Sequence, residues 1–166
     1  TVAQGGELLA SGGLAEDAEA GCDMMRSAFE SGKAAEKFAE MVSALGGPAD
    51  FMEKPELYLA KANFEAPVYP FEDGVVTEID ARGVGVAVVA LGGGRKAAAD
   101  VIDPSVGFTS LAGVGNSVDA DSPLAIVHAR NEEEAEAAAI ALRAAYTVGS
   151  AKDVMDRPSV VERIAP

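Results

Sequence analysis

From Leu14 onward, apolar residues fall at Ala18, Cys22, Met25 and Phe29, the spacing of one face of an α-helix. Glu16, Asp17 and Glu19 occupy its first turns, where the helix dipole favours acids, and Ser31-Gly32 ends it. A second stripe, Ala34, Phe38, Met41, Val42 and Leu45, predicts another helix, stopped by Gly46-Gly47-Pro48. Ahead of both, Val2 to Leu9 already has helical character, with no residue placed to cap its start. Asp50 to Leu59 is expected to be a short helix or turn broken at Pro55.

The pattern changes near residue 62. Phe64–Tyr69 and Gly74–Ile79 carry β-branched residues bounded by Pro, Asp and Gly, which predicts two strands joined by a turn at 71–74. The apolar run from Asp80 to Leu91 suits a buried helix or a buried strand by length. Asp80 as N-cap and the glycines at 92–94 as C-terminus favour the helix. Gly83 and Gly85 would then let another element pack closely. Gly113 to Pro123 is turn-rich, and Leu124–Ala129 is a strand that places Leu124, Ile126 and His128 on one face. Asn131 caps a helix with Glu132, Glu133 and Glu134 in its first turn, and Ala135, Ala138, Ala139, Leu142 and Ala145 form its buried stripe. Val148 extends into a further strand, and 159–164 is a closing edge strand. The expected fold class is α+β. A helical segment over 1–61 leads into a compact β-rich lobe over 62–166, barrel-sandwich or hammerhead-like, with packed helices.

Composition narrows the function classes. Half the 166 residues are hydrophobic but Trp is absent, so the core rests on Ala, Val, Leu, Ile and Met. A net charge of −14 repels nucleic acid and anionic lipid, so neither is an expected partner. Cys22, the single cysteine, rules out an intrachain disulfide and a cysteine-based zinc site, and its helix-face position makes it a buried packing residue. No apolar run reaches the ~18–20 residues of a membrane-spanning helix and no signal-peptide pattern is visible, so a cytoplasmic protein is expected. The uncapped helical start at Thr1 points to a piece of a longer protein.

The candidate chemistry centres on Gly92-Gly93-Gly94-Arg95-Lys96. Three glycines and two cations can cradle an anion with backbone N–H groups. The alternative is a helix end and turn in which Arg95 pairs with Asp100 or Asp103. The segment is not a P-loop, and neither Gly83-x-Gly85 nor Gly113-x-Gly115 completes a dinucleotide fingerprint. His128, the only histidine, is expected to be a satisfied structural residue rather than a metal ligand. Ser105, Asp103 and His128 can be written as a triad, but no Gly-x-Ser-x-Gly surrounds Ser105. No catalytic residue, metal site or cofactor follows from these residues. The strands Gly74–Ile79 and Val118–Val127 also resemble a biotinyl or lipoyl carrier module. A carrier needs a lysine at a hairpin tip, whereas Arg130-Asn131 follows Ala129 here.

One ordered set of motifs is specific. Gly46-Gly47-Pro48-Ala49-Asp50-Phe51, Gly85 through Arg95, Asp100 with Asp103, Val106-Gly107-Phe108, Val118-Asp119 with Pro123-Leu124, and Ile126–Ala129 together resemble the C-terminal part of the pyrimidine nucleoside phosphorylases. The resemblance runs over essentially the whole chain. It implies a homodimeric pentosyltransferase in which phosphate attacks C1 of thymidine or deoxyuridine, giving free base and 2-deoxyribose 1-phosphate. It implies a helical lead belonging to a large α/β domain, and a C-terminal lobe added to that domain. The groups that hold phosphate and base in the family are a glycine-rich lysine-histidine-serine loop and an arginine, serine and lysine set. Both lie upstream of the matched region, so no catalytic or substrate-binding residue carries over. The missing N-terminal part is the implied partner, and the chain alone is expected to be inactive. Gly92, Gly93, Gly94, Arg95, Asp100 and Asp103 remain as a structural signature with a possible anion-holding role.

Overall fold

The structure, a computed structural model, describes residues 1–155, 160 and 162–164. It divides the chain into two compact units, Thr1–Leu59 and Ala60–Pro166. The strand expected at 159–164 falls partly on residues 159 and 161, which lie outside the described residues; Val160 and 162–164 take no regular structure.

The first unit is helical: α1 (Val2–Ser11), α2 (Ala18–Glu30), α3 (Lys33–Ala44) and a 3-10 turn at Pro55–Leu57. Helix α2 begins four residues later than the apolar pattern predicts. Asp17 adopts an extended backbone and its carboxylate accepts the Ala20 N–H at 2.8 Å. It is the cap rather than a first-turn residue, which leaves Leu14 exposed in the loop. Pro55 opens the 3-10 turn instead of breaking a helix, since its missing N–H is not needed there. Glycines bring α1 and α2 together. A Cβ on Gly21 would stand 2.4 Å from the Gly6 carbonyl oxygen and 2.9 Å from Gly6 Cα. Cys22 is only partly buried, contrary to expectation: its Sγ lies beside Gly6 and donates to the Val2 carbonyl at 3.6 Å.

The second unit is α+β, as the pattern predicts. Its order is β1 (Phe64–Val68), β2 (Gly74–Ile79), α4 (Ala81–Leu91), β3 (Gly107–Thr109), β4 (Ser117–Val118), β5 (Ala125–Ala129), α5 (Glu132–Ala145) and β6 (Tyr146–Gly149), followed by a 3-10 turn at Ala151–Asp153. Two three-stranded antiparallel sheets form, β1-β5-β3 and β4-β2-β6. Pro67 sits on the edge strand β1, where its missing donor breaks no central ladder. Strands β3 and β4 were not predicted; each is three residues or fewer and exists through pairing with β5 or β2.

The two sheets and α5 enclose one core. Leu124, Leu142, Val68, Val76, Val118 and Val127 are its fully buried larger side chains, and the alanine stripe of α5 lies against it as predicted. Strand β5 alternates: Ala125, Val127 and Ala129 point inward, Ile126 and His128 outward. Leu124 does not share the face of His128, because it precedes the strand and turns into the core. Gly83 does permit a close approach, with a Cβ there 3.2 Å from Ala145 Cβ, whereas Gly85 faces open space and serves no such contact.

Candidate functional site

Helix α4 forms as its ends dictate. Asp80 accepts the Arg82 N–H at 3.1 Å and closes the N-terminus. At the other end Gly92 takes φ 101°, the left-handed conformation that a Cβ resists. The Gly92 N–H reaches the Val89 carbonyl at 3.1 Å and the Gly93 N–H reaches Val88 at 3.0 Å, a Schellman closure. Gly93 is needed for space: a Cβ would stand 2.8 Å from Val88 Cγ1 and 3.2 Å from the Val106 carbonyl oxygen.

The loop beyond folds on its own aspartates. Asp100 accepts the backbone N–H groups of Lys96 and Ala97, both at 2.9 Å. Those bonds, Ala97's first, hold its carboxyl below the usual 3.8. Asp103 accepts the Ser105 hydroxyl at 2.6 Å and the Ser105 N–H at 2.9 Å, while its own N–H donates to the Gly92 carbonyl at 3.0 Å. The Ser105 hydroxyl is the main cause of its lowered carboxyl pKa, with the Arg130 charge a smaller one.

Arg95 therefore does not play the part expected of it. Among the described residues it joins no ion pair; its side chain is exposed, and Asp100 and Asp103 bond to backbone and to Ser105 instead. The cation that braces this joint is Arg130. It donates through Nε to Glu134 at 2.9 Å and through a terminal nitrogen to the Leu91 carbonyl at 3.3 Å, at the C-terminus of α4. Its guanidinium also lies over Gly92, 3.7 Å from where a Cβ would be. The sequence held the signal, an arginine between a strand and an Asn-capped helix.

These contacts decide what the glycine segment can do. The N–H groups of Lys96 and Ala97, which an anion cradle would offer to phosphate, already serve the Asp100 carboxylate. Gly92 and Gly93 spend theirs closing the helix. Gly92, Gly93, Lys96 and Ala97 thus all donate internally, the last two to the Asp100 carboxylate. Replacing Ser105 with alanine should raise the Asp103 carboxyl pKa toward the ordinary value, read by carbon-13 NMR of the side chain. The sign of the pH effect follows. Both carboxyl groups have lowered values in the folded state, so their contribution is present above the unfolded value and lost as pH falls through the folded one. The Lys96 and Ala97 amide signals should accordingly titrate with a midpoint below 3.8. Arg130→Ala should speed amide hydrogen exchange across residues 92–103 while β5 keeps its protection.

The serine, aspartate and histidine do not meet. Ser105 donates to Asp103, and His128 is held on another face. His128 Nε2 lies 2.7 Å from the Thr109 hydroxyl, and Nδ1 lies 3.3 Å from a Glu65 carboxylate oxygen. Which of Nε2 and the Thr109 hydroxyl donates depends on the ring's tautomer. His128 thus ties β1, β5 and β3 across the outer face of their sheet, a satisfied structural residue as expected. No group of three or more His, Cys, Asp or Glu side chains among the described residues is placed to hold a metal ion. No described helix is long and apolar enough to cross a membrane.

Residues 75–149, which include the whole joint, match the family described as the pyrimidine nucleoside phosphorylase C-terminal domain. This stretch belongs to that family. Curated relatives extend the match to the rest of the chain. A thymidine phosphorylase of Burkholderia lata is 48% identical over 165 residues, which is 99% of this chain and 37% of that protein. One of Mesorhizobium japonicum is 48% identical over all of this chain and 38% of its own length. One of Burkholderia orbicola is 49% identical over 149 residues, 90% of this chain and 34% of that protein. The chain thus spans a little over a third of the length of the thymidine phosphorylases it matches and corresponds to their C-terminal part. Within the phosphorylase C-terminal domain the carrier alternative loses its support. Arg130-Asn131 is the start of α5 rather than a hairpin tip, and Arg130 is committed to Glu134 and Leu91.

Proposed function

We propose that this chain works as the C-terminal part of a thymidine phosphorylase, a pentosyltransferase that uses phosphate to split thymidine or deoxyuridine into free base and 2-deoxyribose 1-phosphate. The observation that carries the reading is 48% identity to a thymidine phosphorylase across 99% of the chain. In this reading residues 1–61 belong to the large α/β domain and 62–166 form the C-terminal lobe. Phosphate and pyrimidine nucleoside bind mainly to the preceding part of the enzyme, which is the partner of this chain in a cytoplasmic homodimer. The lobe supplies shape: its glycine joint is held by Asp100, Asp103 and Arg130. Phosphorolysis requires donors and cations aimed at the transferring phosphate and the leaving base. In this lobe the N–H groups of Gly92, Gly93, Lys96 and Ala97 and the Arg130 guanidinium are committed internally, which supports a structural role. The purified chain, incubated with thymidine and phosphate, is expected to release no thymine above background by absorbance. Thymine release at an enzymatic rate would overturn the assignment of a non-catalytic lobe.

A further inference from the structure

We infer that the residues leading into β1 form a processing site, at which an endoprotease specific for basic residues cuts after Lys61 and leaves the second unit folded. This site depends on the chain alone and not on the proposed function. Ala60, Lys61 and Ala62 take no regular structure, and none of them makes a hydrogen bond among the described residues. Lys61 is exposed. A protease draws several residues into its cleft in extended form, so a stretch with no bonds to break is cut ahead of a helix or strand. The step is a hydrolysis. Water adds across the Lys61–Ala62 peptide bond, leaving a carboxylate on Lys61 and an amino group on Ala62.

The other basic positions are guarded. Arg26, Lys33 and Lys37 lie within α2 and α3. Lys54 is followed by Pro55, whose ring fixes φ and removes the N–H, so the bond between them fits a protease cleft poorly. Arg130 is held by Glu134 and the Leu91 carbonyl. Arg95 and Lys96 are the exposed competitors, in a turn that the Asp100 carboxylate closes on the Lys96 and Ala97 N–H groups.

Nothing ahead of the cut contributes to the core of the second unit. Its buried members run from Val68 to Tyr146, and the partly buried residues packed on them from Phe64 to Val148. Every strand pairing also lies within 64–149. The first unit has no such core, since only Gly6 and Gly21 are buried in it. A body of this size without a large buried side chain removes little apolar surface from water, and its helices open readily. Cut off at Lys61, it is digested further while the second unit persists.

The test digests the 166-residue chain with a low ratio of trypsin under native conditions and follows the products by N-terminal sequencing. The first fragment to accumulate should begin at Ala62 and outlast the first unit. Its β5 amides should keep hydrogen-exchange protection within about twofold of the intact chain. Lys61→Gln removes the recognised side chain without removing a bond, and should slow formation of that fragment at least about tenfold, whereas Lys61→Arg should restore it. A first fragment that begins at Lys96 or Ala97, or within α2 or α3, overturns the inference. So does unchanged formation of the Ala62 fragment in Lys61→Gln. An Ala62 fragment that is digested as fast as the first unit, or that has lost its β5 protection, overturns it as well.

Discussion

Replacing Leu142 with alanine is expected to cost the second unit about 3 kcal/mol, the largest loss from any single core truncation in α5. Leu142 is fully buried and belongs to the core cluster that α5 shares with strands of both sheets. Helix α5 is otherwise lined with alanines at 135, 138, 139 and 145, so this leucine is the one large side chain it sends inward. Removing it leaves a cavity that β-strands on the far side are poorly able to close, because their registers are fixed by antiparallel pairing. Ile140 on the same helix is 57% exposed, and its truncation is expected to stay within about 0.5 kcal/mol. Denaturant titration of the two variants separates them. Equal losses would mean that the core does not sit where Leu142 points.

The second large effect concerns the first unit. Gly21→Val should uncouple α1 from α2 and cost about 3 kcal/mol or more of that pair's stability. The new Cβ would stand 2.4 Å from the Gly6 carbonyl oxygen and 3.0 Å from its carbonyl carbon, and backbone cannot swing aside as a flexible side chain can. The helices must move apart, which also removes the contact of Cys22 with Gly6. By contrast, Gly13 has nothing within 4 Å, although its φ of 71° still disfavours a side chain. Hydrogen exchange localises the effect: α1 amides should lose protection in Gly21→Val while β5 amides in the second unit keep theirs. Retained protection in α1 would show that the close crossing is not what holds these helices.

What was legible in the sequence was whatever local chemistry decides. Helix α4 was ambiguous by hydrophobic pattern, but Asp80 and Gly92 mark its ends, and both act as caps. Asn131 and the alanine stripe fixed α5 in the same way. Strands β3 and β4 were not legible, because three and two residues are too short to show an alternating pattern, and they are recruited by pairing with β5 and β2. The start of α2 was misplaced because Asp17 suits both a first turn and a cap, and only its extended backbone decides.

The joint at 92–103 shows why charge pattern misleads about partners. Arg95 and the two aspartates are near in sequence, so an ion pair was the natural expectation. A short carboxylate reaching its own neighbouring N–H groups orders fewer bonds than a long arginine folding back, so the local bonds win. The bracing cation, Arg130, comes from a distant strand end that only the folded sheet and helix bring to Leu91. Similarly, Ser105 and Asp103 are close in sequence and His128 is the only histidine, which invites a triad, and the fold sends the histidine to a different face.

The central claim is that this chain is a non-catalytic lobe that completes a phosphorylase. It is tested most directly by mixing the purified chain with the Burkholderia lata thymidine phosphorylase lacking its matching residues, then following thymine release from thymidine and phosphate. The expected result is no release by either piece alone and release by the mixture that rises with chain concentration and saturates. Thymine release by the chain alone, or a truncated enzyme whose rate the chain leaves unchanged, would contradict the account.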